Sequence, residues 1–331
     1  MIHHYVPVLF DGGTRVRDAL KMILDLGGLG VDLFFALSGF LITGILYDSV
    51  GQRDFFRRFY WRRSLRIFPA YALFLLPFLF IPSVFRNLSR WWFVLYLRNW
   101  AGPDPASDNW LGHLWSLAVE EQFYIFWALA VYFCPKRHLA KLIVLLSVFA
   151  LVFRGAMISA GFSRYDQLRF KPARIDGLLL GGLIAIAWRC YPWGKVKRVA
   201  WFCAVISAIS FTGILLHVGT LENHFAELIL PSLSAIFFAS WVAVALTSKS
   251  SVLQSQALAH VAKYSYAMYL WHLLPFAYGL GILARVESRH PTHMLMARSL
   301  FVIVLCIVTY LLARVSWAAV EAPFLRLKDR F

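Results

Sequence analysis

Two adjacent glutamates lie in the stretch WSLAVEEQFYIFW (115–127), which is otherwise apolar enough to cross a bilayer. A carboxylate at the bilayer centre costs at least about 2.5–3.5 kcal/mol, so such a group points to function. On a helix, four side chains spaced 3, 4 and 4 residues apart share one face: His113, Ser116, Glu120 and Tyr124. Glu121 is rotated by about 100° onto another surface, so the two glutamates are not a dyad. Glu120 is the candidate site residue, and a structural hydrogen bond or ion pair inside a helix bundle is the open alternative.

Histidines could supply a general base, because an imidazole titrates near pH 7. They stand at the chain start (His3 and His4), before the glutamate helix (His113) and in YSYAMYLWH (His272). Asp32, in GGLGVDLFFALSGFLITGILY, is a second carboxylate candidate. Ser38 in the same stretch lacks the G-x-S-x-G elbow of a nucleophile and a preceding strand. We find no metal-ligand spacing and no C-x-x-C pair among the four cysteines, so we expect no metal.

Arginines alternate with aromatic residues in FFRRFYWRRSLRIF (55–68), a pattern typical of an interfacial helix. Arg58, Arg62 and Arg66 recur every fourth residue and form one basic stripe. The stripe could contact lipid phosphates. It could also cradle a phosphate-bearing donor, since a guanidinium group binds phosphate through parallel hydrogen bonds. The pattern leaves both functions open.

Membrane helices must position these groups. Of the 331 residues, 60% are hydrophobic and 15% charged, and the mean hydropathy is +0.65. The apolar runs give candidate spans at roughly 1–10, 28–47, 66–85, 114–133, 139–157, 175–189, 199–217, 228–247, 264–284 and 297–317. We therefore expect an all-α, polytopic membrane helix bundle of about ten transmembrane helices, formed by a single integral membrane domain over 1–331. The net charge of +16 is scattered over short loops, which indicates contacts with membrane lipids and argues against nucleic acid.

Loop charges predict the orientation. The densest arginine cluster (53–66) places the loop after the second span in the cytoplasm. The outer loops nevertheless contain Arg164, Arg169, Lys171 and Arg174, which are candidates for a ligand site or for headgroup anchors. Small residues at every fourth position, Gly177, Gly181 and Ala185, predict a close approach of two helices.

Six motifs in a fixed order together resemble the acyltransferase 3 family of integral membrane O-acyltransferases. They are GGLGVDLFFALSGFLITGIL, RRSLRIFPAYAL, LGHLWSLAVEEQFYIFW, RIDGLLLGGLIA, YSYAMYLWH and VEAPF. The resemblance implies transfer of an acyl group, commonly acetyl, from a coenzyme A thioester to a hydroxyl of a sugar or cell-surface glycan. It also implies acyl-CoA as donor substrate, no metal, and a multi-pass location in the bacterial cell (inner) membrane.

The resemblance also suggests roles for individual residues. His4, followed by Tyr5, matches the family's proposed catalytic histidine better than His3 does. A carboxylate would orient that base, and Glu120, which matches the family's glutamate, and Asp32 both remain candidates. The candidate substrate-binding residues are Arg63 and Arg66, which match the family's arginines before Ile-x-Pro, together with Arg174, His113 and Tyr124.

The chain start departs from the family pattern. The family's first span carries an arginine before the histidine, and this sequence begins after that position. We expect a truncated first helix whose true start lies upstream. An inactive truncated copy of the enzyme is one alternative. A polytopic transporter is the other, although we find no internal repeat of the kind that transporters often contain.

Overall fold

Long apolar runs form helices, because in lipid every backbone N–H and C=O must be satisfied within its own element. The computed structural model describes residues 2–5, 29–162, 171–218, 224–289 without 247 and 249, and 294–328. Its α-helices are α1 (Ile2–Tyr5), α2 (Gly30–Ser49), α3 (Phe55–Leu79), α4 (Trp91–Val94), α5 (Pro105–Leu111), α6 (Leu114–Phe133), α7 (Lys136–Ser159), α8 (Asp176–Cys190), α9 (Trp193–Val218), α10 (His224–Ala245), α11 (Gln256–Trp271), α12 (Leu273–Arg289), α13 (Met294–Ser316) and α14 (Ala322–Leu325). Short 3₁₀ turns lie at Pro82–Phe85, Arg98–Trp100 and Lys171–Ala173, and a π-helix at Trp317–Glu321.

The expected all-α membrane bundle is confirmed, and the described ranges contain no strand. Five helical stretches are long and apolar enough to cross a membrane: Gly30–Ser49, Lys136–Ser159, Trp193–Gly213, His224–Ala245 and Met294–Leu325. The bent pair α11 and α12 makes six if it counts as one span. The chain is thus a multi-pass membrane protein, while the number of ten spans is not confirmed and stays a prediction. Of the predicted first span, only Ile2–Tyr5 lies within the described residues.

Helices α2 and α8 touch through their backbones at glycine. A Cβ atom at Gly39 would lie 1.8 Å from the carbonyl oxygen of Leu178, and one at Gly181 would lie 2.0 Å from that of Ala36. Neither position can hold a larger residue without moving a helix. The predicted close approach at Gly181 is therefore confirmed, and it presses one face of α2 against α8 while the neighbouring Ser38 faces α6.

Helix α3 is longer than the sequence suggests. The patterns predict an interfacial helix over 55–68 and a separate span over 66–85, whereas the structure has one helix of 25 residues, Phe55–Leu79. The reason is that Phe55, Phe59, Ile67 and Phe74 are all buried along its length. The arginine-rich turns therefore pack on the bundle through their aromatic side and continue into the apolar part.

The partners of α6 define its place in the bundle. Trp127 donates its indole N–H to Thr43 of α2 at 2.8 Å. Tyr60 of α3 donates to the Ile125 carbonyl oxygen at 2.9 Å, and the ring of Phe74 lies 5.8 Å from that of His113. Helix α3 therefore runs antiparallel to α6, and its arginine-rich beginning lies toward the end of α6 remote from His113.

The predicted span 264–284 is broken in the middle. Helices α11 and α12 meet at His272 with a bend of 61°. Pro275 has no backbone N–H to donate to the carbonyl oxygen of Trp271, so the helical ladder is interrupted there. The bend places His272 next to the beginning of α6.

Candidate active site

A closed ring of hydrogen bonds joins four side chains inside the bundle: Ser38, Arg63, Glu120 and Tyr124. The Ser38 hydroxyl donates to Oε1 of Glu120, and Nη2 of Arg63 donates to the same oxygen at 3.3 Å. Arg63 also donates to the Tyr124 hydroxyl, which donates to Ser38 at 3.2 Å. Ser38, Glu120 and Tyr124 are buried. The buried carboxylate is thus compensated by one cation and one hydroxyl, as a charge in this environment requires.

The arginines of α3 border this ring. The Arg63 guanidinium lies 4.1 Å from the centroid of the Tyr124 ring, and the Arg63 side chain is still 22% exposed. Arg66, one turn further, is exposed and makes no hydrogen bond or ion pair with any residue that the structure describes. It lies in the electrostatic field of Glu120 and of Glu321, which belongs to the π-helix in VEAPF. Arg66 therefore keeps all five N–H donors for a ligand.

Three imidazole rings form a second cluster. The centroid of the His272 ring is 5.2 Å from that of His4 and 4.9 Å from that of His113. Tyr5 anchors α1 beside them: its hydroxyl donates to the His272 carbonyl oxygen at 2.5 Å and lies 2.8 Å from the Thr309 hydroxyl. The break between α11 and α12 thus brings residues from three distant parts of the chain together.

His113 is held in a fixed orientation. Its Nε2–H donates to the carbonyl oxygen of Leu270 at 3.1 Å. Tyr269 donates to the His113 carbonyl oxygen and is hydrogen-bonded to Ser116 at 2.5 Å. Nδ1 of His113 is buried and has no hydrogen-bond partner among the described residues. With Nε2 as the donor, this nitrogen is an acceptor that a substrate hydroxyl could use.

Two further arginine–carboxylate pairs are closed off from their surroundings. Arg174 pairs with Asp32, and Ser234 donates to the other Asp32 oxygen at 3.0 Å. Arg154 pairs with Asp176 at 2.7 Å. All four charged side chains are buried. These pairs connect α2, α7, α8 and the turn before α8.

The predicted site residues thus fall into three groups. Arg63, Glu120 and Tyr124 form the ring with Ser38, and Arg66 lies beside it. His4 and His113 form the cluster with His272. Asp32 and Arg174 pair with each other. The two carboxylates proposed to orient His4 are both engaged elsewhere, and the ring beside His4 is that of His272. Seven residues, or about 10 Å of helix, separate His113 from Glu120 along α6.

Three roles escaped the sequence analysis. Ser38 was examined only as a nucleophile, and its hydrogen bond to Glu120 has no sequence signal. The roles of Arg154 and Asp176 were also missed. Arg154 does have a sequence signal, because a charged residue inside an apolar run such as LIVLLSVFALVFRGAMI is rare and marks a structural or functional site. No group of three or more His, Cys, Asp or Glu within the described ranges is placed to hold a metal ion.

The chain belongs to the acyltransferase 3 family: the family's acyltransferase domain matches residues 1–316. The chain is 27% identical over 328 residues to the O-acetyltransferase OatA of Staphylococcus aureus (strain NCTC 8325 / PS 47), covering 90% of this chain and 52% of the relative. It is 33% identical over 223 residues to the putative peptidoglycan O-acetyltransferase YrhL of Bacillus subtilis (strain 168), covering 56% and 34%.

A putative O-acetyltransferase of S. aureus (strain COL) is 26% identical over 362 residues, covering 97% of this chain and 57% of the relative. The chain thus spans about half the length of the curated relatives that it matches over most of its own length. No solved structure matches it.

Proposed function

We propose that this protein is a membrane-embedded O-acyltransferase that moves an acetyl group from acetyl-CoA to a hydroxyl of a sugar in a cell-surface glycan. The family supports acyl transfer, and the relatives named as O-acetyltransferases, one of them putatively for peptidoglycan, support the acyl group and the acceptor class. In this proposal, residues 1–331 form one integral domain of the bacterial cell (inner) membrane, with the beginning of α3 on the cytoplasmic side.

Arg63 and Arg66 are the proposed binding site for the phosphates of the donor. Arg66 supports this role because its donors are unused by the described residues, and Arg63 because its side chain is partly exposed. Tyr124 stacks on Arg63 and orients it. Glu120 limits the movement of Arg63 by pairing with it, so in this proposal Glu120 positions the donor site rather than the base.

His4 is the proposed general base. Its imidazole takes the proton of the acceptor hydroxyl while the hydroxyl oxygen attacks the carbonyl carbon of the thioester. As the new ester bond forms, the C–S bond breaks, and the departing thiolate takes the proton back from the imidazolium. In this proposal Nδ1 of His113, which has no partner among the described residues, accepts a hydrogen bond from the acceptor sugar. In this proposal Arg174 and Asp32 hold α2 and α8 together, because the two side chains form an ion pair with each other.

One observation carries the proposal: α6 contributes to both the hydrogen-bonded ring around Glu120 and the histidine cluster, which lie about 10 Å apart along its axis. A donor whose phosphates lie near Arg66 could extend its thioester toward His4 through the same bundle. Such a separation suits an elongated acyl-CoA and a reaction at the end of its arm.

The experiment is acetyl transfer in membranes that contain the chain. Membranes are supplied with acetyl-CoA labelled with ¹³C in the acetyl group, and the surface glycans are digested and analysed by mass spectrometry. We expect a labelled acetyl ester on a sugar hydroxyl that base treatment removes. If the glycans stay unlabelled and the labelled acetyl ester appears on another molecule, the proposed sugar acceptor is wrong. If no hydroxyl becomes labelled, the proposed acyl transfer is wrong.

A further inference from the structure

A cavity of about 460 Å³ lies beside α6, and neither Arg63 nor Arg66 of the proposed donor site belongs to its lining. Its volume falls in the range of about 300–1,000 Å³ that small-molecule sites occupy. The walls come from α3, from the segment Val94–Tyr96 and from α6, and they are mostly apolar side chains such as Phe68, Leu75 and Ile125. Leu76 and Ile125, at its border, are 55% and 50% exposed on the apolar surface of the bundle. The cavity therefore opens toward lipid.

Two residues that line the cavity each carry a buried polar atom without a partner among the described residues. Glu121 is only 8% exposed, and its Oε1 makes no hydrogen bond with any described residue. The hydroxyl of Tyr96 is likewise buried and unpaired within the described ranges. A buried carboxyl oxygen or hydroxyl without a partner costs about 1–3 kcal/mol, so native proteins seldom leave two of them in one place without a ligand or water.

The position of Tyr96 is enforced by its surroundings. Its φ of 54° is an unusual backbone conformation for a residue other than glycine. Gln122 stabilises it by donating to the Tyr96 carbonyl oxygen at 2.6 Å, and the Tyr71 ring stacks on the Tyr96 ring at 4.2 Å. The Gln122 carbonyl oxygen accepts from the indole of Trp100 at 3.0 Å. The Gln122 side-chain amide is thus engaged with Tyr96, Asn99 and Trp100, while Oε1 of the neighbouring Glu121 has no partner among the described residues.

We propose that this cavity binds a lipid alcohol: a long apolar chain that ends in a hydroxyl. A hydroxyl can donate to the Glu121 carboxylate and accept from the Tyr96 phenol at the same time. An ammonium group can only donate, so it would leave the phenol hydrogen without an acceptor. A phosphate would meet a carboxylate with no lysine or arginine in the lining. The apolar chain of the ligand extends between Phe68 and Ile125 toward the bilayer. This site does not depend on the acyl transfer proposed above, since none of the four residues of the Glu120 ring lines the cavity.

The test uses photolabelling of the full chain in lipid nanodiscs. Three diazirine probes share one hexadecyl chain and end in a hydroxyl, a methyl or an ammonium group. We expect saturable labelling of the peptides that contain residues 94–96 and 121–125 by the alcohol. It should exceed labelling by the other two probes by about threefold to tenfold, the value of one to two hydrogen bonds.

Variants separate the site from surrounding lipid. Leu76→Trp should fill the cavity and abolish labelling by the alcohol, whereas Leu73→Trp, on the same helix outside the cavity, should leave it unchanged. Tyr96→Phe and Glu121→Gln should each remove most of the preference for the alcohol. Equal labelling by the three probes, a preference for the ammonium probe, labelling that does not saturate, or labelling that persists in Leu76→Trp would each overturn the proposal.

Discussion

Two arginine–carboxylate pairs inside the bundle differ in how completely they are closed. Arg154 and Asp176 lie 2.7 Å apart with side chains 1% and 4% exposed, and Ser232 adds a hydrogen bond to the same carboxylate at 2.8 Å. Arg63 and Glu120 lie 3.3 Å apart, and Arg63 is 22% exposed. In the first pair the two charges neutralise each other and are closed off from any ligand. The second leaves part of the Arg63 side chain accessible, next to Arg66, which makes no ion pair with the described residues.

The difference teaches how to separate structural from functional charge in this membrane protein. A buried pair whose charges neutralise each other away from any open space holds helices in register, and removing one partner leaves an uncompensated charge. A pair at the border of a space, with spare donors nearby, can exchange a protein partner for a ligand. On this criterion we assign the pair Arg154–Asp176 to the scaffold and the pair Arg63–Glu120 to the proposed donor site.

The largest expected effect is the loss of the closed pair. Arg154→Met leaves Asp176 buried without its cation, which costs about 3–5 kcal/mol of folding free energy. We expect the variant to disappear from membranes, as measured by immunoblotting of membrane fractions. The double variant Arg154→Met/Asp176→Leu should recover much of the protein level. A wild-type level in Arg154→Met alone would contradict the scaffold role.

The next effect is on the donor. Arg66→Met removes a guanidinium that no described residue uses, so the protein level should not change. The KM for acetyl-CoA should rise by about tenfold to a hundredfold, the value of a charge-assisted hydrogen bond. Arg58→Met, on the same stripe but hydrogen-bonded to Gln52, is the matched control and should leave the KM unchanged. An unchanged KM in Arg66→Met would leave only lipid contact as its role.

A smaller effect is expected for Glu120→Gln. The amide keeps acceptors for Ser38 and Arg63 but removes the charge that holds the guanidinium in place. We expect the KM for acetyl-CoA to rise by about threefold to tenfold, with kcat and the protein level retained. If instead the protein level falls while the activity per molecule stays normal, Glu120 belongs with Asp176 in the scaffold.

The smallest effect is expected for Ser38→Ala. The change removes one hydrogen bond to Glu120 and should lower the free energy of unfolding by about 0.5–1.5 kcal/mol. Thermal unfolding in detergent measures it. Ser49→Ala is the control, because that hydroxyl bonds to carbonyl oxygens of its own helix. Equal unfolding temperatures of the two variants would show that the ring contributes no stability through Ser38.

Periodicity predicted the helices well where one face is buried throughout. The span 114–133 coincides with α6, and the shared face of His113, Ser116, Glu120 and Tyr124 is buried as expected. The pattern did not predict the full length of α3, because the arginines near its beginning interrupt the apolar run although the buried face continues to Phe55. It also missed the break at His272, where a single proline interrupts an otherwise apolar run.

The site was predictable in its residue types but not in its pairings. The sequence could nominate Glu120, Asp32, Arg63 and Arg174, yet it could not show that Asp32 and Arg174 bind each other. Such pairing depends on the register of α2 against the turn before α8, which is set by the contact at Gly39. The cavity beside Glu121 was also out of reach, because it is formed by the left-handed backbone at Tyr96.

The most direct test of the proposed function is the activity of His4→Ala. Acetyl transfer from labelled acetyl-CoA to glycans is measured in membranes that contain equal amounts of wild type, His4→Ala and the neighbouring control His3→Ala. We predict that His4→Ala loses at least about 10²-fold in rate, as removal of a general base does, while His3→Ala remains active. Full activity in His4→Ala at a normal protein level would contradict the account.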